Sequence, residues 1–105
     1  MVANVKDKAV IVGIGNTTFS KDSGVSDLSL AVQAVKAAID DAGLKPSDID
    51  GMATFTMDTN DEIEVARALG VGELTFYGRS HYGGGAATSC LHQATKAVAT
   101  GMAET

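Results

Sequence analysis

The chain has 105 residues, a hydrophobic content of 45% and a formal net charge of −5 at pH 7, so it can form one domain at most. The acidic balance argues against a nucleic-acid partner, because phosphate binding needs a basic face. The single cysteine, Cys90, excludes an internal disulfide and is typical of a reducing, cytoplasmic compartment.

The first predicted unit is a strand followed by a helix. Residues 9–15 read AVIVGIG, a continuous apolar, β-branched run that is typical of a strand covered on both faces. The run is too short to span a bilayer, so we expect no signal peptide and no membrane insertion. Ser26 is expected to cap the helix, and Gly43 to end it. The predicted buried stripe of this helix is Leu28, Val32, Val35, Ile39 and Ala42.

Two further units follow. Residues 51–57 predict a second strand, and the sequence TNDE at 59–62 matches a capping box for a short helix that ends at Gly70. Residues 74–77 predict a third strand, and a third helix is expected between Gly83 and Gly101. The buried side predicted for the second helix is Ile63, Ala66 and Leu69.

The order of these elements predicts an α/β fold. Three βα units imply a mainly parallel sheet with helices on both faces, and an open sheet of this size leaves an unpaired edge. The third helix has little charge, which suits packing between two layers. Its predicted apolar stripe is Ala87, Cys90, Leu91, Ala94, Ala97 and Val98, and its weakly polar side is Ser89, His92 and Lys96. We therefore expect residues 1–105 to be an incomplete domain, either a piece of a larger protein or one part of an assembly.

Two motifs have ordinary explanations beside functional ones. Gly13-Ile14-Gly15 after a strand is similar to a dinucleotide fingerprint, but Thr18 stands at the third glycine position and Asp40 falls on the first helix; the alternative is that the glycines allow a tight turn. The acidic residues in the middle of the chain favour capping and solubility over metal binding. They are Asp40, Asp41, Asp48, Asp50, Asp58, Asp61, Glu62 and Glu64.

The segment before and within the third helix carries the candidate chemistry. Cys90 is expected about two turns into the helix, where a small buried hydrophobe is favoured over a nucleophile, and His92 falls on another face. His81 and Tyr82 precede the helix and are better placed to contact a ligand. Gly83, Gly84 and Gly85 permit either close approach of a ligand, with the helix amides stabilising an enolate or oxyanion, or tight helix–helix packing. These two interpretations remain open.

Three stretches together resemble the N-terminal part of the thiolase superfamily. They are VIVGIGNTTFSK (10–21), DLSLAVQAVKAAIDDAGLKPSDIDGM (27–52) and GGGAATSCLHQATKAVATGMAE (83–104). The chain is most similar to the lipid-transfer, sterol-carrier-protein type of thiolase. The resemblance covers nearly all of this chain and well under half of a complete thiolase. It implies a partial thiolase-like half-domain whose third helix is central to a five-layer arrangement.

The resemblance also implies what this chain lacks. Aligning the end of the third helix places the family's nucleophilic cysteine at Gly84, and Cys90, six residues or about 9 Å further along a helix, cannot replace it. The resemblance then favours the cysteine-less, aldolase-like branch over an acyltransferase, and the alternative is a non-catalytic structural or partner subunit of a thiolase-like complex. These lyases cleave β-hydroxyacyl-CoA thioesters, including steroid side-chain intermediates, and often have a small OB-fold partner. It implies a coenzyme A thioester as substrate, no covalently bound cofactor, and a homo-oligomer or a partner subunit. The chain alone is expected to be inactive.

Overall fold

The computed structural model describes residues 5–55, 60–81 and 83–105. In chain order the elements are α1 (Asp27–Ala42), a 3₁₀ turn (Pro46–Asp48), β1 (Gly51–Phe55), α2 (Glu62–Leu69), β2 (Phe76–Ser80) and α3 (Ala86–Ala99). β1 and β2 pair in parallel, with Gly51 opposite Phe76 and Phe55 opposite Ser80. The described part of the chain is therefore a small α/β fold with two parallel strands and three α-helices.

Helices cover both faces of this two-stranded sheet. Side chains alternate between the faces of a strand, and in β2 Arg79 contacts α2 while Ser80 contacts α3. Gly78 faces the same side as Ser80, because a Cβ there would lie 2.4 Å from Oε1 of Gln93 in α3. α1 packs against α2. The expected parallel pairing and the helices on both faces are confirmed for β1 and β2.

The first predicted strand is wrong. Residues 9–15 carry no strand assignment, and Val10 and Ile14 are 82% and 77% exposed. The segment lies along α1 instead: the Ile14 N–H donates to Oδ2 of Asp41 at 3.0 Å. A cleft of about 330 Å³ is lined by Ile11, Val12 and Gly13 and by β1 residues Gly51 to Ala53. Within the described residues the sheet thus contains two βα units and not three, because no strand lies beside this apolar run.

The helix ends follow their capping residues. The Ser29 N–H donates to Oγ of Ser26 at 3.1 Å, and Gly43 and Gly70 adopt left-handed backbone with φ of 73° and 77°. The predicted N-terminus of α2 is different: Thr59 lies outside the described residues, and α2 begins at Glu62 with Asp61 as its N-cap. The second strand ends at Phe55, with 56 and 57 also outside the described residues, and β2 begins two residues later than predicted.

The buried faces of α2 and α3 differ from the predicted stripes. In α2, Val65 and Ala66 are buried and Ile63 is exposed. In α3, Ala97 is buried but Leu91 is 58% exposed; Ala87 and Ala94 are exposed as well. The face turned to the sheet carries Ser89 and Gln93, because both side chains form hydrogen bonds with Ser80. No helix in the described ranges has the length and apolar character needed to cross a membrane.

Candidate functional site

The candidate site lies at the carboxyl ends of β1 and β2. Parallel strands in α/β proteins present their ligand sites at this edge. β2 ends at Ser80, His81 follows it, and Gly85 is the N-cap of α3. Three of the predicted ligand-contacting positions, Gly83 to Gly85, are therefore brought together with His81 in one short connection. Tyr82 lies outside the described residues.

The three glycines face open space in the described chain. A Cβ atom built at Gly83, Gly84 or Gly85 would meet nothing within 4 Å. Only Gly83 has a left-handed backbone, with φ of 107°. Within the described ranges, no helix packs closely enough on these glycines to support the alternative of tight helix–helix packing. A side chain at Gly84 would instead extend into free space beside the first turn of α3.

Arg79 forms the charged cluster that borders this connection. Its Nη2 donates to Oδ1 of Asp61 and to Oε2 of Glu62, both at 3.0 Å. Glu62 also accepts from the Thr54 hydroxyl at 3.0 Å, and Thr54 is the residue paired with Arg79 across the two strands. Burial by itself raises the pKa of Glu62. The hydrogen bonds from Arg79, its own backbone and Thr54, together with the Arg79 charge, lower this pKa by more than burial raises it. The result is a carboxylate whose pKa lies below its ordinary value.

Ser80 forms a second, uncharged cluster on the opposite face. Its side chain is buried, with 4% exposure. Its Oγ lies 2.6 Å from Oγ of Ser89 and accepts from Nε2 of Gln93 at 3.0 Å. The Cys90 thiol donates to the same Oγ at 3.7 Å. Cys90 is therefore a half-buried thiol that contacts a hydroxyl network, and not the buried apolar residue that the sequence favoured.

The remaining candidates lie away from this edge. His92 is exposed on α3. Among the described acidic residues, most have partners that explain them: Asp40 pairs with Lys36, Asp48 caps the Lys45 N–H, and Asp50 accepts from the N–H groups of Glu104 and Thr105. Asp58 lies outside the described residues. In the described ranges no three metal-ligating side chains converge.

The glycines of the GIG motif have a packing role. Residues 9–20 form neither a turn nor a bend, so the tight-turn interpretation is wrong. A Cβ at Gly15 would lie 2.3 Å from the Ala34 carbonyl oxygen, and one at Gly13 would lie 2.4 Å from that of Ala38. Both glycines let the chain approach the backbone of α1.

Sequence reasoning missed the polar residues that surround the connection. Arg79, Glu62, Ser80 and Gln93 were not named as a group, although Glu62 was counted among the acidic residues. The available signal was the position of Arg79 and Ser80 directly before His81, on opposite faces of a strand. The partners across the sheet required a register that a single sequence does not provide.

The fold and this edge define an α/β segment with a glycine connection at the carboxyl ends of parallel strands, and comparisons with known proteins extend this description. No family model matches the chain. The chain is 62% identical over 97 residues to a 17-hydroxy-3-oxo-4-pregnene-20-carboxyl-CoA lyase of Mycobacterium tuberculosis. The matched residues are 92% of this chain and 25% of that lyase. The chain is also 62% identical over 96 residues to a steroid side-chain-cleaving aldolase of Thermomonospora curvata, covering 91% of this chain and 25% of that protein.

A solved structure is also similar to this chain, and it too is of an aldolase. One chain of the Ltp2-ChsH2(DUF35) aldolase superimposes with a TM-score of 0.85 at 62% identity, covering 89% of this chain and 24% of that one. The chain thus spans about a quarter of the length of the curated relatives it matches. Its close homologues are a lyase and an aldolase that act on steroids.

Proposed function

We propose that this chain is the N-terminal portion of a thiolase-like acyl-CoA enzyme that cleaves carbon–carbon bonds by retro-aldol chemistry. The observation that carries the proposal is the 62% identity, over more than nine-tenths of this chain, to two steroid lyases or aldolases. The substrate class is a β-hydroxyacyl-CoA on a steroid side chain. The acyltransferase alternative requires a nucleophile, and Gly84 at that position argues against it.

The chemistry proposed for this class needs no covalent intermediate. A general base removes the proton of the β-hydroxyl, the bond between the β- and α-carbons breaks, and its electron pair forms a thioester enolate. The hydroxyl carbon becomes a ketone, and protonation at the α-carbon gives a shorter acyl-CoA. The step needs a base and donors for the enolate oxygen.

Within this chain, the proposed contribution is to the enolate. The first amides of a helix have no partner within it and carry its positive dipole end. The Ala86 N–H donates to the Gly83 carbonyl oxygen at 3.1 Å, so the proposed donors are the amides that follow Ala86. Gly83, Gly84 and Gly85 lack side chains that would keep the thioester away, and His81 is an exposed neighbour able to donate a hydrogen bond. The general base is assigned to residues outside this chain, so the chain alone is proposed to be inactive.

The partner proposal follows from the exposed apolar surface. The apolar side chains of segment 9–15 are largely exposed in this chain, and large apolar patches rarely remain open to water. We propose that the complete protein covers this surface, either within a homo-oligomer or with a partner subunit. A small OB-fold protein is the partner class that the resemblance favours, and the solved relative carries two component names, Ltp2 and ChsH2(DUF35).

Two glycine variants of the full-length protein test the role of the connection. Gly84→Ala adds a methyl group in free space without a backbone penalty, so stability should stay within about 0.5 kcal/mol of the parent. If the thioester approaches Gly84, kcat/KM should fall by about tenfold or more. Gly83→Ala is the matched control for backbone strain. Because Gly83 has a φ of 107°, which disfavours a side chain, the stability of this variant should fall. Unchanged turnover in Gly84→Ala would contradict the proposed approach of substrate.

A further inference from the structure

The two residues before His81 are fixed from opposite faces of the sheet. Arg79 is held on the α2 side by Glu62 and Asp61, with both Nη2 distances at 3.0 Å. Ser80 is held on the α3 side by Ser89 at 2.6 Å and Gln93 at 3.0 Å. Consecutive side chains of a strand point to opposite faces, so these contacts restrain the end of β2 from both directions. We call these residues and their partners the two-sided anchor.

The charge of the anchor excludes the simplest alternative, an anion site for the phosphates of coenzyme A. One guanidinium contacts two carboxylates, so the Arg79 cluster has a net charge of −1 from its three side chains. The Glu62 side chain is only 13% exposed and the Arg79 side chain 35% exposed. An approaching phosphate would meet a guanidinium whose charge is already offset, and two like charges beside it.

Stability alone does not account for the anchor either. At the largely buried members, Glu62 and Ser80, apolar side chains of similar volume commonly stabilise the fold as well as an ion pair or polar network does, and the exposed Arg79–Asp61 pair contributes little. Hydrogen-bonded groups instead have defined directions, so they fix one geometry of the strand end. The place where this geometry is fixed is one residue before His81 and three before Gly83.

We propose that Arg79 and Ser80 are positioning residues that hold His81 and the Gly83–Gly85 connection at the reacting thioester. This inference rests on the proposed lyase function. Neither residue touches the substrate. Arg79 acts through its bond to Glu62, and Ser80 acts through Ser89 in the first turn of α3 and Gln93 one turn further along the same helix.

The first arm of the test needs no activity. High-resolution structures of the full-length protein are determined for Arg79→Met and Ser80→Ala. His81 and residues 83–85 should move by more than about 0.5 Å, the tolerance of a catalytic constellation, while β1 stays in place. Lys36→Met is the matched control, because it breaks an exposed ion pair on α1, and the connection should superimpose on the parent. If Arg79→Met does not fold, Arg79→Lys, which keeps the charge but loses the two-pronged contact, replaces it and should show a smaller shift.

The second arm is kinetic. In Arg79→Met and Ser80→Ala, kcat for carbon–carbon cleavage should fall by about 10- to 100-fold with KM within about threefold, because positioning is lost and substrate contacts are kept. Arg79→Lys should recover part of kcat, and Lys36→Met should match the parent. Unmoved connections in the structures, or an unchanged kcat with only a lowered melting temperature, would overturn the inference. A parent protein without lyase activity refutes the proposed function, and the structural arm then decides the anchor by itself.

Discussion

A single methyl group at Gly15 should test the packing of the N-terminal segment on α1. A Cβ there would lie 2.3 Å from the Ala34 carbonyl oxygen, 2.5 Å from the Ala38 nitrogen and 2.8 Å from the Ala37 Cβ. Two of these three atoms belong to the helix backbone, which cannot rotate away as a side chain can. Gly15→Ala therefore has to lift the segment off α1 or distort the helix.

The expected cost follows from this geometry. Overpacking a well-packed contact costs about 1–3 kcal/mol, and we expect the upper half of this range because the clash is with backbone. Gly72→Ala is the control: its Cβ would meet nothing within 4 Å and its backbone is not left-handed. By reducing the entropy of the unfolded chain, that change should be neutral or stabilise by up to about 1 kcal/mol.

The assay is equilibrium urea unfolding of the purified protein, with both variants in the same background. The free energy of unfolding of Gly15→Ala should be lower than that of Gly72→Ala by about 2 kcal/mol or more. Two variants within about 0.5 kcal/mol of each other would refute the close approach of residues 9–15 to α1.

Two further predictions concern the candidate site. Cys90→Ala should leave turnover of the full-length protein within about threefold of the parent, because the thiol is not at the nucleophile position and its 3.7 Å contact with Ser80 is longer than those of Ser89 and Gln93; complete loss of turnover in a folded variant would contradict this. The lowered pKa of Glu62 means that its carboxylate stabilises the fold fully above its unfolded-state pKa of about 4.3, and that this contribution is lost as the pH falls from there through the lower pKa of the folded state. Glu62→Gln should flatten the stability curve in that window, whereas Glu64→Gln on the exposed side of the same helix should not; equal curves for the two variants would argue against the Arg79–Glu62 contact.

The helices were the most predictable part of the fold. Ser26, Gly43 and Gly70 set helix ends through contacts within a few residues of sequence, so local chemistry was sufficient. The run at 9–15 shows the opposite case. Its apolar, β-branched composition predicts that it packs against another element, but composition alone does not predict which element that is. A strand forms only with a partner, and in the described chain the segment lies on α1.

In the site, too, the features set by local sequence were predictable and those set by long-range contacts were not. Gly83, Gly84, Gly85 and His81 stand out in the sequence because glycines cluster before a helix, and the structure brings them to one sheet edge. The anchor residues do not stand out, because Arg79 and Glu62 are seventeen positions apart and meet only through the register of β1 and β2. Ser89 was misassigned for a similar reason: it turns toward the sheet to reach Ser80, whereas His92 and Lys96 of the same predicted polar side are exposed.

The most direct test of the proposed function is the reaction of the full-length protein, purified with its partner, on 17-hydroxy-3-oxo-4-pregnene-20-carboxyl-CoA. Products are followed by mass spectrometry without added free coenzyme A. The account predicts a 17-keto steroid and a shorter acyl-CoA in equal amounts, and no product from the 105-residue chain alone. Intact substrate after incubation with the complete protein, or turnover only by acyl transfer to added coenzyme A, would contradict it.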